Sequence, residues 1–166
     1  MAFNTGLITS ADVVTECIPD ATFDTARLDK YIFSAQLHYI EEAIGETFYE
    51  TLLTEKEAGS FSAENQLLYD NFLKPMLCWY VLFDALPFIR NHITPKGIMV
   101  NDSEFAQQST KSDYAGLRNW CSVKAERWEK DLRKYILDVQ EDDSSAFSDY
   151  KQCKNKNVNK MGFIIY

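Results

Sequence analysis

The chain has 166 residues, enough for one domain with length left over for a tail. Its hydrophobic share of 46% and aromatic share of 14% exclude wholesale disorder, and only 6 Gly and 4 Pro argue against a many-stranded sandwich and for long helices with few connections. A net charge of −8 excludes a sequence-independent binder of DNA or RNA, which works by neutralising phosphates with Lys and Arg.

In chain order, the N-terminus lacks a basic segment followed by an apolar stretch, so no signal peptide is expected. Ser10 reads as the cap of a short helix over residues 11–18, stopped by Pro19-Asp20. Asp24 reads as the cap of a second helix. Leu28, Tyr31, Ile32, Ala35, Tyr39 and Ile40 recur there at three- and four-residue spacing, and Gly45 is its C-cap or hinge. A third helix is predicted over 46–56, with Phe48, Tyr49, Leu52 and Leu53 apolar and Ala58-Gly59-Ser60 as its stop. Ser62 caps a fourth segment running to Phe88, apolar on most sides from Leu77 and so the central buried helix. Pro75 should kink or divide it, and Pro87 reads as its end. The richest apolar stretch, Met76 to Ile89, contains Asp84 and Pro87 and is too short to predict a membrane span.

Residues 91–112 break the helical pattern. Ile98-Met99-Val100, Asn101-Asp102 and Ser103-Glu104-Phe105 read as a short hairpin or ordered loop near 97–106. A 20-residue excursion of this kind is usually functional. Ile98, Met99, Val100 and Phe105 are therefore candidate contact residues. Ser112-Asp113 caps a last long helix with an apolar stripe of Tyr114, Leu117, Cys121, Ala125, Trp128, Leu132, Tyr135, Ile136 and Val139. Gly116 offers another helix a close approach. After Gln140 the chain turns polar. The expected division is a helical domain over 1–140 and a C-terminal extension over 141–166.

No chemistry-bearing constellation emerges. The two histidines, His38 and His92, are far apart, and His38 with Glu42 supplies too few ligands for a metal. No nucleophile elbow, phosphate loop or dinucleotide fingerprint is present. The four cysteines, at 17, 78, 121 and 153, form no C-x-x-C pair and read as free thiols of a reducing compartment. No catalytic, cofactor-binding or metal-binding residue is assigned, and the chain is not expected to be an enzyme.

The anomaly is the C-terminus. Phe163, Ile164, Ile165 and Tyr166 are apolar and β-prone, and they follow a basic stretch carrying Lys151, Lys154, Lys156 and Lys160. Such an end either folds back on its own domain or adds to a partner, for instance at a sheet edge. The charge is also uneven. Residues 1–110 carry 16 acidic and 6 basic side chains, a balance of −10, and residues 111–166 carry 9 and 11, a balance of +2.

The order of these features, from Leu7-Ile8-Thr9 through Phe23-Asp24, Tyr39-Ile40, Ile44-Gly45 and Ile98-Met99-Val100 to the last helix with Arg118 and Trp128, resembles a known family. Over residues 7–139 it is similar to the head–tail connector (adaptor, or ring) proteins of tailed bacteriophages, closest to those of crAss-like and other Bacteroidetes phages. The resemblance implies an all-α bundle of four to five helices. It also implies assembly into a ring, usually of twelve copies, beneath the portal in the virion neck, with further neck or tail proteins beyond it. Genome DNA would pass through the lumen without specific binding, and the C-terminal extension would grip the portal. No cofactor and no membrane partner are implied, and the protein would be made in the host cytoplasm. The competing expectation is a soluble helical adaptor or chaperone that binds one protein through its tail.

Overall fold

The computed structural model describes residues 6–18, 24–94, 97–100 and 111–150, with backbone only for 90–94 and 97–100. Among the described residues five helices form an all-α bundle with one two-stranded hairpin. Helix α1 spans Ser10–Cys17. Helix α2 begins as Ala26–Ala35, passes through a π turn at Gln36–Ile40 and finishes as Glu41–Ile44. Helix α3 spans Glu46–Ala58. Helix α4 begins as Ala63–Leu68, passes through a second π turn at Tyr69–Leu73 and continues as Lys74–Arg90. Strands β1 (Asn91–Thr94) and β2 (Gly97–Val100) follow, and helix α5 spans Lys111–Asp142.

Local chemistry sets the boundaries. The cap of α1 is Thr9 rather than Ser10. Thr9 Oγ1 accepts from the Asp12 backbone, and Asp12 Oδ2 accepts from Thr9 N at 2.8 Å, a reciprocal box that Ser10 is one residue too late to make. At α2 the cap position is Thr25, with no side-chain bond. Asp24 Oδ1 accepts instead from Ala26 N, at 3.3 Å, and its other oxygen pairs with Arg27 at 3.4 Å. Gly45 separates α2 from α3 at φ 87°, a conformation that favours glycine. Gly59 ends α3 in the left-handed region, and Ser62 caps α4 through Asn65 N.

Pro75 divides α4 as its chemistry requires. Its ring would clash with the carbonyl four residues back, and it has no N–H to donate. The preceding turn widens to the π form, in which Lys74 N bonds Tyr69 O five residues back. Pro87 does not end the helix, which runs on to Arg90.

Helix α4 is the centre of the molecule. Leu68, Leu73, Met76, Leu77, Cys78, Val81 and Ala85 are fully buried, and α1, α2 and α5 all lie against it. By length and composition 63–89 is long and apolar enough to cross a membrane, but most of its apolar surface is buried inside the bundle. Burying each large apolar side chain contributes about 1.5–3 kcal/mol. Helix α5 gives Cys121, Ala125, Leu132 and Ile136 to this core. Leu117, expected in the same stripe, is exposed.

The core also continues past residue 140. Asp143 Oδ1 accepts from Ser145 N and Oγ, at 2.9 and 2.6 Å, and turns the chain back. Ala146, Phe147 and Tyr150 are then buried. Phe147 lies against Phe48 of α3 and Tyr135 of α5, with ring centroids 5.7 and 6.2 Å apart. Ala146, Phe147 and Tyr150, expected in an extension from residue 141, therefore pack with the bundle core.

Candidate functional site

The expected assembly residues fall in two places. Ile98, Met99 and Val100 lie on β2, which pairs antiparallel with β1 in the register Asn91↔Val100, His92↔Met99, Ile93↔Ile98 and Thr94↔Gly97. The hairpin is real but sits earlier than expected. The partner of 98–100 is 91–93, so the connection of this hairpin falls at Pro95-Lys96, where the sequence had suggested Asn101-Asp102. The sequence signal was Thr94-Pro95-Lys96-Gly97, with Pro second and Gly fourth in a four-residue turn. The hairpin leaves α4 directly and separates the two longest helices. Phe105, with the rest of 101–110, lies outside the described residues.

Lys151, Lys154, Lys156, Lys160, Phe163, Ile164, Ile165 and Tyr166 also lie outside the described residues. Their root is described in detail. Gln140 Nε2 donates to the carbonyls of Ala146 and Phe147, both at 3.2 Å, and Thr51 Oγ1 donates to Asp149 Oδ2 at 3.0 Å. Phe147 takes φ 49°, the left-handed region in which a bulky residue is strained. Ring packing and the Gln140 bonds hold it there. Residues 143–150 are thus fixed to the bundle beside α3 and α5.

A polar ladder joins α2, α4 and α5. The Tyr39 and Tyr80 rings stack at 3.8 Å, nearly parallel. Tyr39 OH donates to Asp84 Oδ1 at 3.0 Å, and Tyr80 OH donates to Glu129 Oε2 at 2.8 Å. Arg133 then holds Glu129 Oε1 from Nε and a terminal nitrogen, at 3.2 and 2.9 Å. The first π turn places Tyr39 on this ladder and turns Gln36 into the core. There Gln36 Oε1 accepts from Leu7 N at 2.9 Å, and Nε2 donates to Tyr49 OH at 3.0 Å. Burial pushes the Asp84 carboxyl above its ordinary value, against the Tyr39 hydrogen bond and the charges of His38 and Arg118. Burial, with the carboxylate each one faces, also pushes the Tyr39 and Tyr80 hydroxyls up, so both stay protonated donors. Arg118, one of the residues carrying the family resemblance, lies over the Phe83 ring at 4.2 Å. The ladder is a tie between helices, and no open cavity meets it among the clefts described next.

Two shallow clefts lie elsewhere. One, of about 350 Å³, is lined by Asp24, Arg27, Lys30, Tyr31 and Phe88, with Tyr31 stacked on Phe88 at 5.6 Å. The other, of about 320 Å³, lies between Gly6–Ser10 and Asp29–Phe33. Neither brings a nucleophile to a base. His38 and Glu42 are both exposed, and among the described residues no three His, Cys, Asp or Glu side chains group as metal ligands. Burial pushes the Cys78 and Cys121 thiols up to about 12 and about 11, and raises Cys17 as well, which disfavours the nucleophilic thiolate at all three.

The surface carries what the interior does not. Phe33 and Leu37 on α2, and Leu117, Trp120, Val123 and Leu137 on α5, are large apolar side chains left open. Sequence reading placed Leu117 in the core and passed over Trp120 and Val123. Counting their spacing from Gly116 would have found a second stripe.

Residues 40–160 match the profile of a family described as a family of unknown function, DUF6712. No curated protein and no solved structure matches the chain.

Proposed function

We propose that this chain, which belongs to the DUF6712 family of unknown function, is a structural virion protein: a subunit of a head–tail connector ring beneath the portal of a tailed bacteriophage. It joins head to tail at the virion neck and lets genome DNA pass through its lumen, and it catalyses nothing. The observation that carries the reading is the core-anchored turn at 143–150. Phe147 and Tyr150 are held in the bundle immediately before the basic, apolar-ended sequence 151–166, as a tail that must bear load on a partner requires. The hairpin between the two longest helices and the open apolar residues of α5 agree with a subunit built for contact.

The tail's lysines would meet acidic surface on the portal and speed docking more than they tighten it. Its four terminal apolar residues would supply the anchorage, multiplied by the number of linked copies. The acidic N-terminal 110 residues suit a channel wall, since like charge repels phosphates within about 8–10 Å at ordinary salt. Mass photometry and negative-stain microscopy of the full chain, alone and mixed with portal protein, test this. Rings that seat on portal are expected. A chain that stays monomeric or dimeric and binds a single non-virion protein through its tail would replace the reading with that of an adaptor or chaperone.

A further inference from the structure

Helix α5 carries two seams. The inner one, with Cys121, Ala125, Leu132 and Ile136, faces α4. The outer one is Gly116, Trp120, Val123, Arg127, Lys130 and Lys134, every one exposed and spaced four, three, four, three and four apart. That is the 3.5-residue period by which one helix face meets another. Trp120 is 47% and Val123 54% exposed, the Trp120 ring also meeting Trp79 of α4 edge-on at 4.9 Å. A Cβ at Gly116 would meet nothing within 4 Å in its own copy. The seam is apolar toward the start of α5 and cationic toward its end.

A complementary face lies elsewhere on the same chain. Phe33 and Leu37 are 44% and 39% exposed on α2. Next in sequence come exposed Glu42, at the end of α2, and exposed Glu46 and Glu50, one turn apart on α3. In sequence order these exposed side chains run from apolar to acidic, as those of the α5 seam run from apolar to cationic. Both α2 and α5 lie on α4, and the end of α2 meets α5 where Arg133 donates to the Glu42 carbonyl at 3.4 Å, so each copy carries the two sets of side chains on separate helices.

We infer that the outer seam of α5 docks on the α2–α3 face of a second copy of this chain, with Trp120 and Val123 meeting Phe33 and Leu37, and Arg127, Lys130 and Lys134 meeting Glu42, Glu46 and Glu50. The inference rests on the ring reading and gives its subunit contact. Because the two faces differ, the contact is heterologous. Each added copy presents a free seam and a free acidic face, and the series ends when it closes on itself. Among the described residues Arg127 pairs with Asp131, at 4.0 Å with both side chains well exposed, a contact that holds it weakly.

Charge reversal tests the pairing. Full-length chains carrying R127E/K130E/K134E, or E42K/E46K/E50K, or all six changes, are compared with the native chain by mass photometry and sedimentation. Circular dichroism verifies the helical fold of each. All six positions are at the surface, so folding is expected to survive. The native chain is expected to assemble, more weakly as salt rises. Each triple variant should lose assembly by tenfold or more, while a mixture of the two triples, or the sixfold variant, regains it. Assembly that survives either triple reversal, or is not regained on recombination, overturns this contact and leaves the ring reading standing. A native chain that remains a monomer with and without portal overturns both.

Discussion

Two aspartates show opposite outcomes of partial burial. For Asp12, burial works against the charge. The Lys74 ammonium at 2.6 Å and the Thr9 hydrogen bonds outweigh it and hold the carboxyl below its ordinary value. Its contribution is therefore present above the ordinary carboxylate range and lost as pH falls through the lower folded value. For Asp84, burial wins and the folded value is raised. Above that value the fold carries a buried charge at a cost, and as pH falls through it the fold gains a proton before the unfolded chain does, so stability rises. Asp12→Asn is expected to lower the melting temperature at pH 7, with the cap alone worth about 1 kcal/mol, and to flatten the loss of stability in acid. Asp84→Asn keeps an acceptor for Tyr39 and removes the charge, so its melting temperature at pH 7 should equal or exceed the native one. Thermal melts of both variants from pH 3 to 7 check the pair of signs, and a large destabilisation by Asp84→Asn would show that the charge itself holds the ladder.

Elements were legible where local chemistry writes them. Gly45, Gly59 and Ser62 punctuate the chain, and Leu28, Ile32 and Ala35 repeat on a helical period, so five helices could be read without coordinates. The π turns could not. Pro75 announces a break, but whether a helix kinks or takes in an extra residue depends on what the turn packs against. At Gln36–Ile40 no proline marks the turn, and its reason is tertiary: it places Gln36 between Leu7 and Tyr49, and Tyr39 on Tyr80. The return at 143–150 escaped for a related cause, because Asp143-Ser144-Ser145 reads as solvated chain and only Phe48 and Tyr135 reveal what Phe147 is for. The hairpin makes a test at this scale. It follows the end of α4 directly and is a separate unit of paired backbone, so replacing 91–100 with a Gly-Ser segment of equal length should leave the helical signal intact and the melting temperature within a few degrees. If the hairpin contacts a neighbour, ring yield falls in the same variant. Undiminished rings would free it from that role.

For the whole molecule the question is where the bundle ends and the tail begins. A division after Gln140, natural in the sequence, would strip Ala146, Phe147 and Tyr150 from the core and leave Phe48 and Tyr135 facing a void. Removing a buried Phe alone costs about 3–5 kcal/mol. A small domain holds only about 5–15 kcal/mol in all. A chain stopped at Gln140 is therefore expected to melt well below the native one, and whatever portal binding it loses would say nothing about the tail. A chain stopped after Tyr150 keeps the Asp143 turn, the Gln140 bonds and the Phe147 contacts, so it should melt with the native protein and still form rings through α5 if that seam is the subunit contact. What it lacks is the four lysines and the four terminal apolar residues. The expected outcome is a folded, ring-forming subunit whose portal attachment is at least tenfold weaker, read by cosedimentation of the two truncations and the native chain with portal. Full attachment by the chain ending at Tyr150 would move the portal contact onto the bundle itself. Loss of rings in that chain would assign the tail to the contact between subunits rather than to the layer above.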